Sequence, residues 1–496
     1  MIRVTPGTAW PLYTTAQTRH IEDLAIRLLP VNTLMQRAGA ACARLAMAVA
    51  PHAHHIWIAC GPGNNGGDGL ETAVQLARLG KFATVTWLGD PTHLPPDSAL
   101  AHQRAVAAGV QFVAGPTSDC DLCVDALLGI GGMARQPPSR MVELIEHLNG
   151  AQCPVLAIDV PSGLHSDTGA APYRPVQASY TLSLLTLKPG LFMGAGRDAS
   201  GEVWFDDLDV SGSNSPPCAK LLAVPAPPQR RHQSHKGCFG DVAVVGGAKG
   251  MSGAAILAAS AALHGGAGRV FVCLLDEPVF PVDMTLPELM FRSSPALDFS
   301  GMTVVCGCGA GDSIKSQLAS LITTAARLVI DADGINALVG DAQLLDSLQR
   351  RAATAAPTVL TPHPLEAARL LGCSAAQIQA DRLAAAKALT EKTGCVVVLK
   401  GSGTVIADTA GQMAINPTGN GRLATAGTGD VLAGMVGASL AGGLNAFDAA
   451  CHSVYRHGAL ADQWPAHCPL TANALARLGH GVDSGGAGRV LCAIER

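Results

Sequence analysis

The chain has 496 residues, of which 48% are hydrophobic and 15% charged, so it is long enough for two or three domains that each bury a full core. A net charge of -4 without a long basic run, together with only 4% aromatic residues, excludes an electrostatic nucleic-acid binder that stacks bases on aromatic side chains. Residues 1–9 carry no secretory pattern, and the most apolar segment, residues 253–263, is shorter than the ~20 residues that span a bilayer, so we expect no membrane partner.

In the first third of the chain, short apolar runs alternate with helical patterns. Helices are predicted at residues 70–79 and 100–108. The predicted strands are residues 56–60, 82–88, 122–127, 155–158 and 180–187. This alternation is typical of a mainly parallel sheet covered on both faces. We therefore expect an α/β fold here, with a Rossmann-like three-layer αβα domain over residues 1–212.

The cysteines are fifteen in number and scattered, which is typical of reduced thiols in a cytoplasmic protein and not of a disulfide framework. Residues 120–123 read CDLC, but they belong to a predicted strand that leads to Asp125, and a second CxxC at zinc-site spacing is missing. Redox or zinc chemistry is therefore the less favoured interpretation. The histidines of residues 52–55 are likewise predicted to lie in a solvated loop and not at a metal site.

A segment rich in serine and proline follows the first series of elements and predicts a linker at residues 213–234. Residues 221–224 could form an edge strand within it. A second α/β series then occupies residues 235–496. Its predicted helices are residues 253–264, 381–389 and 428–440. Its predicted strands are residues 241–245, 270–275, 303–306, 328–330, 359–360 and 396–399.

Three polar loops of the first domain follow predicted strands. Residues 61–69 read GPGNNGGDG, and such a glycine-rich loop before a helix can bind phosphate through backbone N–H groups, although a purely structural turn is the alternative. Asp125 and Asp159 end two further strands. Because ligands bind beyond the carboxyl ends of parallel strands, the three loops are predicted to converge. For either aspartate alone, a capping or turn role is the alternative.

Four motifs in this half resemble the NAD(P)H-hydrate epimerase domain: GPGNNGGDG at 61–69, DALLG at 125–129, DVPSGL at 159–164 and KPGL at 188–191. The resemblance covers about residues 10–210. It implies that Asp159 is the catalytic acid or base at the nicotinamide end. It implies a potassium ion held by Asn65, Asp125 and Ser162. The hydrated dinucleotide would contact Asn64, Asn65, Gly66, Gly67, Asp68, Gly129, Ile130, Gly131, Gly132, Met133, Ala134, Arg135 and Asp159. Ile130 stands where the family has threonine, so one hydroxyl that could contact phosphate is missing.

The second domain carries a glycine-framed motif of its own, AGTGD at residues 426–430, which runs directly into an apolar helix. Backbone N–H groups at such a helix start can stabilise a transferring phosphoryl group, and Asp430 could accept a proton from an attacking hydroxyl. An ordinary helix N-cap is the alternative for this motif alone. Lys400 follows a strand, where it is predicted to contact phosphate, with a surface lysine as the alternative.

Further motifs of this half are DADGIN at 331–336, TPHPLE at 361–366 and KGSGT at 400–404. In this order they resemble the ADP-dependent NAD(P)H-hydrate dehydratase, a member of the ribokinase-like α/β group, over about residues 230–490. The resemblance implies that Asp430 is the catalytic base, with magnesium and ADP as cofactors. The adenine nucleotide would contact Lys400, Gly401, Ser402, Gly403, Thr404 and Gly429. The hydrate would contact Ala254, Gly309, Gly311, His363 and Asp430. The family's Gly-Pro-Gly-Leu-Gly appears here as GCGAG at 307–311, without the proline.

Taken together, the two motif sets predict a bifunctional enzyme that epimerises NADH and NADPH hydrates and dehydrates the S form with ADP. Its partners would be these small molecules and a further copy of the same chain in a homo-oligomer. Two alternatives stay open at this point. One is a ribokinase-like small-molecule kinase fused to a nucleotide-binding domain, and the other is a dinucleotide sensor without turnover.

Overall fold

The computed structural model describes residues 1–117, 119–131, 137–210, 215–226, 231–276 and 282–478. The chain divides into two compact units, residues 1–221 and 222–496. Among the described residues, no helix combines the length and the hydropathy that a membrane crossing requires.

The first unit is built on an eight-stranded sheet in the order β1-β9-β8-β7-β6-β3-β4-β5. All neighbours pair in parallel except β1 and β9. β2 and β10 pair antiparallel with each other outside this sheet. The strands are β1 (Ile2–Arg3), β2 (Trp10–Leu12), β3 (His55–Cys60), β4 (Phe82–Trp87), β5 (Gln111–Phe112), β6 (Leu122–Ala126), β7 (Val155–Ile158), β8 (Tyr180–Leu184), β9 (Glu202–Asp206) and β10 (Ala219–Leu221).

Helices cover both faces of this sheet, because successive side chains of each strand point to opposite sides. Ile56 and Ile58 of β3 pack in one apolar cluster with the second to fourth helices, whereas Trp57 packs in another cluster with Leu144 of the fifth. The helices are α1 (Thr15–Ile26), α2 (Thr33–Val49), α3 (Asn64–Arg78), α4 (Pro96–Ala107), α5 (Ser139–Gly150) and α6 (Gly196–Ala199). The three layers predicted from the strand and helix alternation are confirmed.

The described residues of the second unit form nine strands in the order β13-β12-β11-β14-β15-β16-β17-β18-β19. Pairing is parallel from β13 to β17 and antiparallel in the last two pairs. The strands are β11 (Asp241–Gly246), β12 (Arg269–Leu274), β13 (Met290–Phe291), β14 (Thr303–Cys306), β15 (Arg327–Ile330), β16 (Thr358–Leu360), β17 (Val396–Leu399), β18 (Val405–Ala407) and β19 (Met413–Ile415).

The helices of the second unit pack an alanine-rich apolar core against its strands. Val244 and Val305 of the sheet share this core with Ala258 and Val436 of two helices. The helices are α7 (Ser252–His264), α8 (Lys315–Thr324), α9 (Asp333–Leu338), α10 (Ala342–Ala353), α11 (Pro364–Leu371), α12 (Ala375–Ala380), α13 (Arg382–Thr393), α14 (Thr428–Ala441), α15 (Ala446–Gln463) and α16 (Ala472–Arg477). The predicted second α/β domain is confirmed.

Two element boundaries differ from the sequence prediction near the first site. The helix predicted from residue 70 begins at Asn64, because its glycines, which have low helix propensity, are packed in place by neighbouring segments. The strand predicted at residues 180–187 ends at Leu184, because Leu185 adopts a left-handed φ of +65°. The edge strand predicted at residues 221–224 is found slightly earlier, as β10. Residues 213–214 and 227–230 of the predicted linker lie outside the described residues.

Candidate functional site

The glycine-rich segment at residues 61–69 forms the turn from β3 into α3. Gly63 precedes α3 and offers no side chain to cap its first turn, which leaves backbone N–H groups available to an anion. A Cβ on Gly61 would lie 1.9 Å from the Leu127 carbonyl oxygen, and a Cβ on Gly66 would lie 2.0 Å from the Gly61 carbonyl oxygen. Only glycine permits these backbone contacts, so the turn is held against the residue that follows β6.

Gly66→Ala is expected to destabilise the first unit by about 1–3 kcal/mol, because the new methyl group would overlap the Gly61 carbonyl oxygen in a closely packed turn. Gly63→Ala is the matched control, because a Cβ at Gly63 has no heavy atom within 4 Å. Thermal unfolding of the two variants measures the difference. Equal unfolding midpoints would contradict this account of the turn.

The carboxylate of Asp125, near the end of β6, is fully buried and bonded to Ser162. Ser162 donates from its backbone N–H to Asp125 Oδ2 at 2.8 Å and from its hydroxyl to Asp125 Oδ1 at 2.7 Å. Burial raises the pKa of Asp125 to about 6, although these hydrogen bonds act in the opposite direction. Two of the three side chains predicted to bind potassium are thus in direct contact.

Asp159, directly after β7, forms a buried ion pair with Lys188, to which the sequence motif gave no role. Lys188 Nζ donates to Asp159 Oδ1. It also donates to the Leu184 carbonyl oxygen at 2.6 Å and to Ser183 Oγ at 3.4 Å. Asp159 has a φ of +68°, which non-glycine residues rarely adopt. A strained backbone beside a buried charge pair at a strand end is typical of functional sites.

Asn65 is buried, and neither its side-chain Oδ1 nor its Nδ2 has a hydrogen-bond partner among the described residues. Gly129 lies opposite: a Cβ there would be 3.1 Å from Asn65 Oδ1 and 3.3 Å from Asp159 Oδ2. A side chain at residue 129 would therefore fill the space between these two groups. Leaving a buried amide unsatisfied costs about 1–3 kcal/mol, so the arrangement favours a polar ligand or an ion at this point.

Asn65, Gly129 and Asp159 border one cavity of about 460 Å³, a volume typical of small-molecule sites. Asp125 and Ser162 are not among the described residues that line it. Burial raises the pKa of both Asp68 and Glu22, which line it, and the charge of Asp159 raises both further. Gly66 and Gly67 are buried in α3 and do not contribute to the described wall. The predicted contacts that line the cavity are Asn64, Asn65, Asp68, Gly129, Ile130, Gly131 and Asp159. The predicted contacts Gly132, Met133, Ala134 and Arg135 lie outside the described residues.

In the second unit, Asp430 lies in the first turn of α14, just after Gly427, whose φ is +90°. A carboxylate oxygen of Asp430, one of Asp331 and the Cys308 Sγ all lie within 4.8 Å of one another. Burial is the main cause that raises the pKa of Asp430 to about 6, and the charge of Asp331 adds to it. The cysteine that replaces the family's proline thus lies beside the candidate base, with its Sγ within 4.8 Å of an Asp430 carboxylate oxygen.

Asp331, which the sequence motif included without a role, connects several parts of this site. Lys400 Nζ donates to Asp331 Oδ1 at 2.7 Å, and Thr361 Oγ1 donates to the same oxygen at 2.7 Å. The next residue, Ala332, has a φ of +48°, a second strained position beside a site carboxylate. A Cβ on Gly429 would lie 3.4 Å from Lys400 Nζ, so the lysine stands at the N-terminus of α14. Asp331 therefore positions Lys400.

His363 caps α11, a structural role that the sequence motif did not reveal. Its Nδ1 accepts from the backbone N–H groups of Leu365 at 3.1 Å and Glu366 at 3.2 Å. The backbone N–H of His363 in turn donates to Glu366 Oε2 at 2.7 Å. Burial lowers the pKa of His363, and the charge of Lys400 lowers it further, so the ring is neutral at pH 7. Its Nε2 lies 3.2 Å from Glu366 Oε1, and the exposed part of the ring is what remains for a ligand.

The loop of residues 400–404 is held from behind by Arg382, a buried side chain that sequence reasoning missed. Its guanidinium donates to the carbonyl oxygens of Leu399 at 3.0 Å and Lys400 at 3.2 Å. A Cβ on Gly401, whose φ is +143°, would lie 2.6 Å from this guanidinium. Thr404 donates from its hydroxyl to the Gly401 carbonyl oxygen at 3.1 Å. Nothing in the local sequence distinguishes Arg382 from an exposed helix arginine.

The remaining predicted hydrate contacts of this unit lie around the start of α7. A Cβ on Gly309 would be 2.8 Å from the Cβ of Ala254, so these two predicted residues are packed together. Gly311 donates from its backbone N–H to Asp333 Oδ2 at 2.8 Å. Gly309 and Gly311 have φ values of +55° and +53°, which explains why glycine persists in a loop that has lost its proline.

Two family models match the chain, one for each unit. The model described as YjeF-related protein N-terminus matches residues 31–190, and the model described as NAD(P)H-hydrate dehydratase matches residues 242–478. A crystal structure of the ADP/ATP-dependent NAD(P)H-hydrate dehydratase of Bacillus subtilis, co-crystallised with ATP and Mg²⁺, is 32% identical and covers 50% of this chain and 90% of its own, with a TM-score of 0.43.

Two bacterial relatives match along most of their length. The bifunctional NAD(P)H-hydrate repair enzyme of Escherichia coli is 37% identical over 88% of this chain and 85% of its own. That of Coxiella burnetii is 36% identical over 91% of this chain and 94% of its own. The resemblance deduced from the two motif sets is confirmed: the chain belongs to the family of bifunctional NAD(P)H-hydrate repair enzymes.

Proposed function

We propose that this chain repairs hydrated nicotinamide dinucleotides at two sites. One site interconverts the R and S forms of NADH and NADPH hydrate, and the other dehydrates the S form with ADP to give the reduced dinucleotide, AMP and phosphate. The observation that carries the proposal is that the chain has two separate sites of the same kind. Each combines a helix that begins after a glycine, α3 or α14, with an aspartate at or next to a left-handed backbone position, Asp159 or Asp331. Family membership supports both activities.

At the first site, the cavity of about 460 Å³ would hold the hydrated nicotinamide end. Asp159 would move the proton that ring opening, or loss and return of water, requires at the hydrated carbon. Lys188 would fix the position of the Asp159 carboxylate, because it is buried and donates to Asp159 Oδ1. The first turn of α3 and Gly129–Gly131 would face the dinucleotide's polar groups.

A potassium ion at Asn65, Asp125 and Ser162 is part of this proposal. The three side chains offer oxygen donors, and the unpartnered amide of Asn65 supports an ion there. The bound ion would supply positive charge beside Asp125. We expect K⁺ to raise the thermal unfolding midpoint of the wild-type protein relative to Na⁺, and to do so much less in Asn65→Ala. An equal response of both proteins to K⁺ would contradict this ligand set.

At the second site, Asp430 would accept the proton of the hydrate hydroxyl. The hydroxyl oxygen would at the same time attack the terminal phosphoryl group of ADP, and AMP would leave. Phosphate is a better leaving group than hydroxide. The lone pair of the ring nitrogen would then expel this phosphate from the hydrated carbon. The ring carbon next to the hydrated carbon would lose a proton, which restores the double bond. Lys400 and the N–H groups around Gly429 would stabilise the transferring phosphoryl charge, because Lys400 Nζ stands at that helix start.

The nucleotide and magnesium would be held near this helix start. Residues 400–404, fixed by Arg382, would contact the adenine nucleotide. The hydrate would be contacted by Ala254, Gly309, Gly311 and the exposed part of the His363 ring. Magnesium suits one or two carboxylates together with phosphate oxygens, and the carboxylate of Asp331 offers such a donor. The ion would neutralise phosphate charge during transfer.

The rate of dehydration is expected to fall as the pH drops through about 6, because protonated Asp430 cannot accept the hydroxyl proton and its pKa is raised to about 6. The measurement is kcat/KM for the S hydrate with ADP between pH 5 and 8. Burial also raises the pKa of Glu366 to about 6, so Glu366→Gln is the control. If kcat/KM of Glu366→Gln no longer falls at acidic pH, the group that titrates is Glu366 and not Asp430.

A direct test of the chemistry supplies the pure S hydrate, magnesium and either ADP or ATP, and follows the reduced dinucleotide, AMP and phosphate together. Equal amounts of all three with ADP are expected. A stable phosphorylated hydrate would support a kinase instead, and tight binding without product would support a sensor. We propose that the enzyme acts in the cytoplasm, which the free thiols of the described cysteines support. A homo-oligomer stays a prediction.

A further inference from the structure

Three thiols meet at the start of β6, in a region that neither proposed activity uses. The sequence showed only the CxxC pair of Cys120 and Cys123. The structure adds Cys153, which lies thirty residues further along, between α5 and β7. The Sγ–Sγ distances are 3.5 Å for Cys120–Cys123, 3.5 Å for Cys123–Cys153 and 3.8 Å for Cys120–Cys153. The missing second CxxC is therefore replaced by a single cysteine from another loop.

The near-equilateral spacing is that of three ligands around one ion. A disulfide joins only two sulfurs, at about 2.05 Å, and would leave the third thiol unpaired. The centre of this triangle lies roughly 2.1 Å from each sulfur, whereas zinc–thiolate bonds are about 2.3 Å long. An ion would thus sit about 1 Å above the plane of the sulfurs, at a tetrahedral position with its fourth site open.

The surrounding loops hold the three cysteines in place. The backbone N–H of Cys123 donates to the Pro154 carbonyl oxygen at 3.0 Å, which ties β6 to the loop that carries Cys153. Asp121 Oδ2 accepts from the backbone N–H groups of His54 at 2.8 Å and His55 at 2.9 Å, which ties the Cys120 loop to β3. The site is thus fixed on two sides before any ion binds.

Access and ligand type both favour a soft metal. Cys120 and Cys153 are partly exposed, whereas Cys123 is buried against the α5 face of the sheet, so an ion can enter from one side. Thiolate ligands select zinc or copper(I) over magnesium or calcium. A tetrahedral position with one open site matches zinc.

We propose that Cys120, Cys123 and Cys153 form a zinc site with three thiolate ligands and one exchangeable solvent ligand. Binding releases the thiol protons and forms three zinc–sulfur bonds, with no change of oxidation state. The ion would join the start of β6 to the α5–β7 loop and so stabilise the first unit. This site is separate from the proposed potassium site at Asp125.

The test titrates the reduced, metal-free full-length protein with Co²⁺, and then with Zn²⁺ in competition with a chromophoric chelator. The sulfur-to-cobalt charge-transfer and visible bands of a tetrahedral thiolate site are expected to reach their full intensity at one Co²⁺ per chain at this site, and one Zn²⁺ should abolish them. Zinc should also raise the thermal unfolding midpoint. Absence of these bands from reduced wild-type protein would overturn the proposal, whatever the variants do.

Cys153→Ser is expected to lose the charge-transfer bands and to bind zinc at least ~100-fold more weakly, because one of three ligands is gone. Cys373→Ser is the matched control, since this cysteine is also partly exposed but belongs to the second unit. The three-thiolate site would also be overturned if Cys153→Ser kept bands of full intensity, or if Cys373→Ser lost them as completely as Cys153→Ser. If the bands remain in Cys153→Ser but are lost in Cys120→Ser, the ion is bound by two thiols and Cys153 is not a ligand.

Discussion

Asp430→Asn is expected to lower the rate of S-hydrate dehydration by roughly 100- to 10,000-fold, because a general base contributes about that much and asparagine cannot accept the hydroxyl proton. The substitution keeps the size of the side chain and its place in the first turn of α14. KM for ADP should change little, because Lys400 and the loop held by Arg382 stay in place. Steady-state kinetics with purified S hydrate measures both constants.

The same variant provides its own control at the other site. Exchange between the R and S hydrates should proceed at the wild-type rate, because the epimerase residues belong to the other compact unit. Chromatography of the two epimers over time measures it. Loss of both activities in a folded Asp430→Asn protein would contradict the assignment of two independent sites.

Asp159→Asn is expected to slow conversion of the R hydrate by roughly 100- to 10,000-fold while leaving the S hydrate unaffected, because only the R form needs the first site. The change also leaves Lys188 as a buried, uncompensated charge, which costs about 3–5 kcal/mol of stability. Thermal unfolding must therefore accompany the kinetics. The rate with S hydrate in the same sample shows whether the second unit is intact.

A second variant separates catalysis from folding at this site. Lys188→Met removes the charge that pairs with Asp159 but keeps the long apolar stem, and the double variant Asp159→Asn/Lys188→Met leaves neither charge unpaired. The double variant should recover stability without recovering R-hydrate conversion. Recovery of conversion in the double variant would show that Asp159 acts through structure alone and is not the acid or base.

Much of the fold followed from local patterns in the sequence. The period-2 alternation of β3 places Ile56 and Trp57 on opposite faces, and short apolar runs between helices predicted the parallel sheets of both units. The carboxylates near the ends of β6 and β7 were predicted to converge because parallel strands end at the same edge of a sheet. These features depend on residues that are neighbours in the chain, so they can be predicted from the sequence.

The rest depends on contacts between distant residues. Lys188 belongs to the KPGL motif, but only the folded chain shows it as the partner of Asp159. Arg382 supports the nucleotide loop although its local sequence does not differ from that of a surface residue. Tertiary packing also extends α3 through glycines that helix propensity disfavours. The sequence likewise does not predict that Cys153 lies beside the CxxC pair, because this contact forms only when the loop before β7 packs against the start of β6.

In the proposed function, two different activities act in sequence on one mixture of substrates. The most direct test follows the absorbance of the reduced dinucleotide when the protein meets a mixed R and S NADH hydrate with ADP, magnesium and potassium. Complete recovery, faster than spontaneous epimerisation allows, is the predicted result. Recovery that stops at the S fraction would contradict the epimerase half, and no recovery with either ADP or ATP would contradict the dehydratase as well.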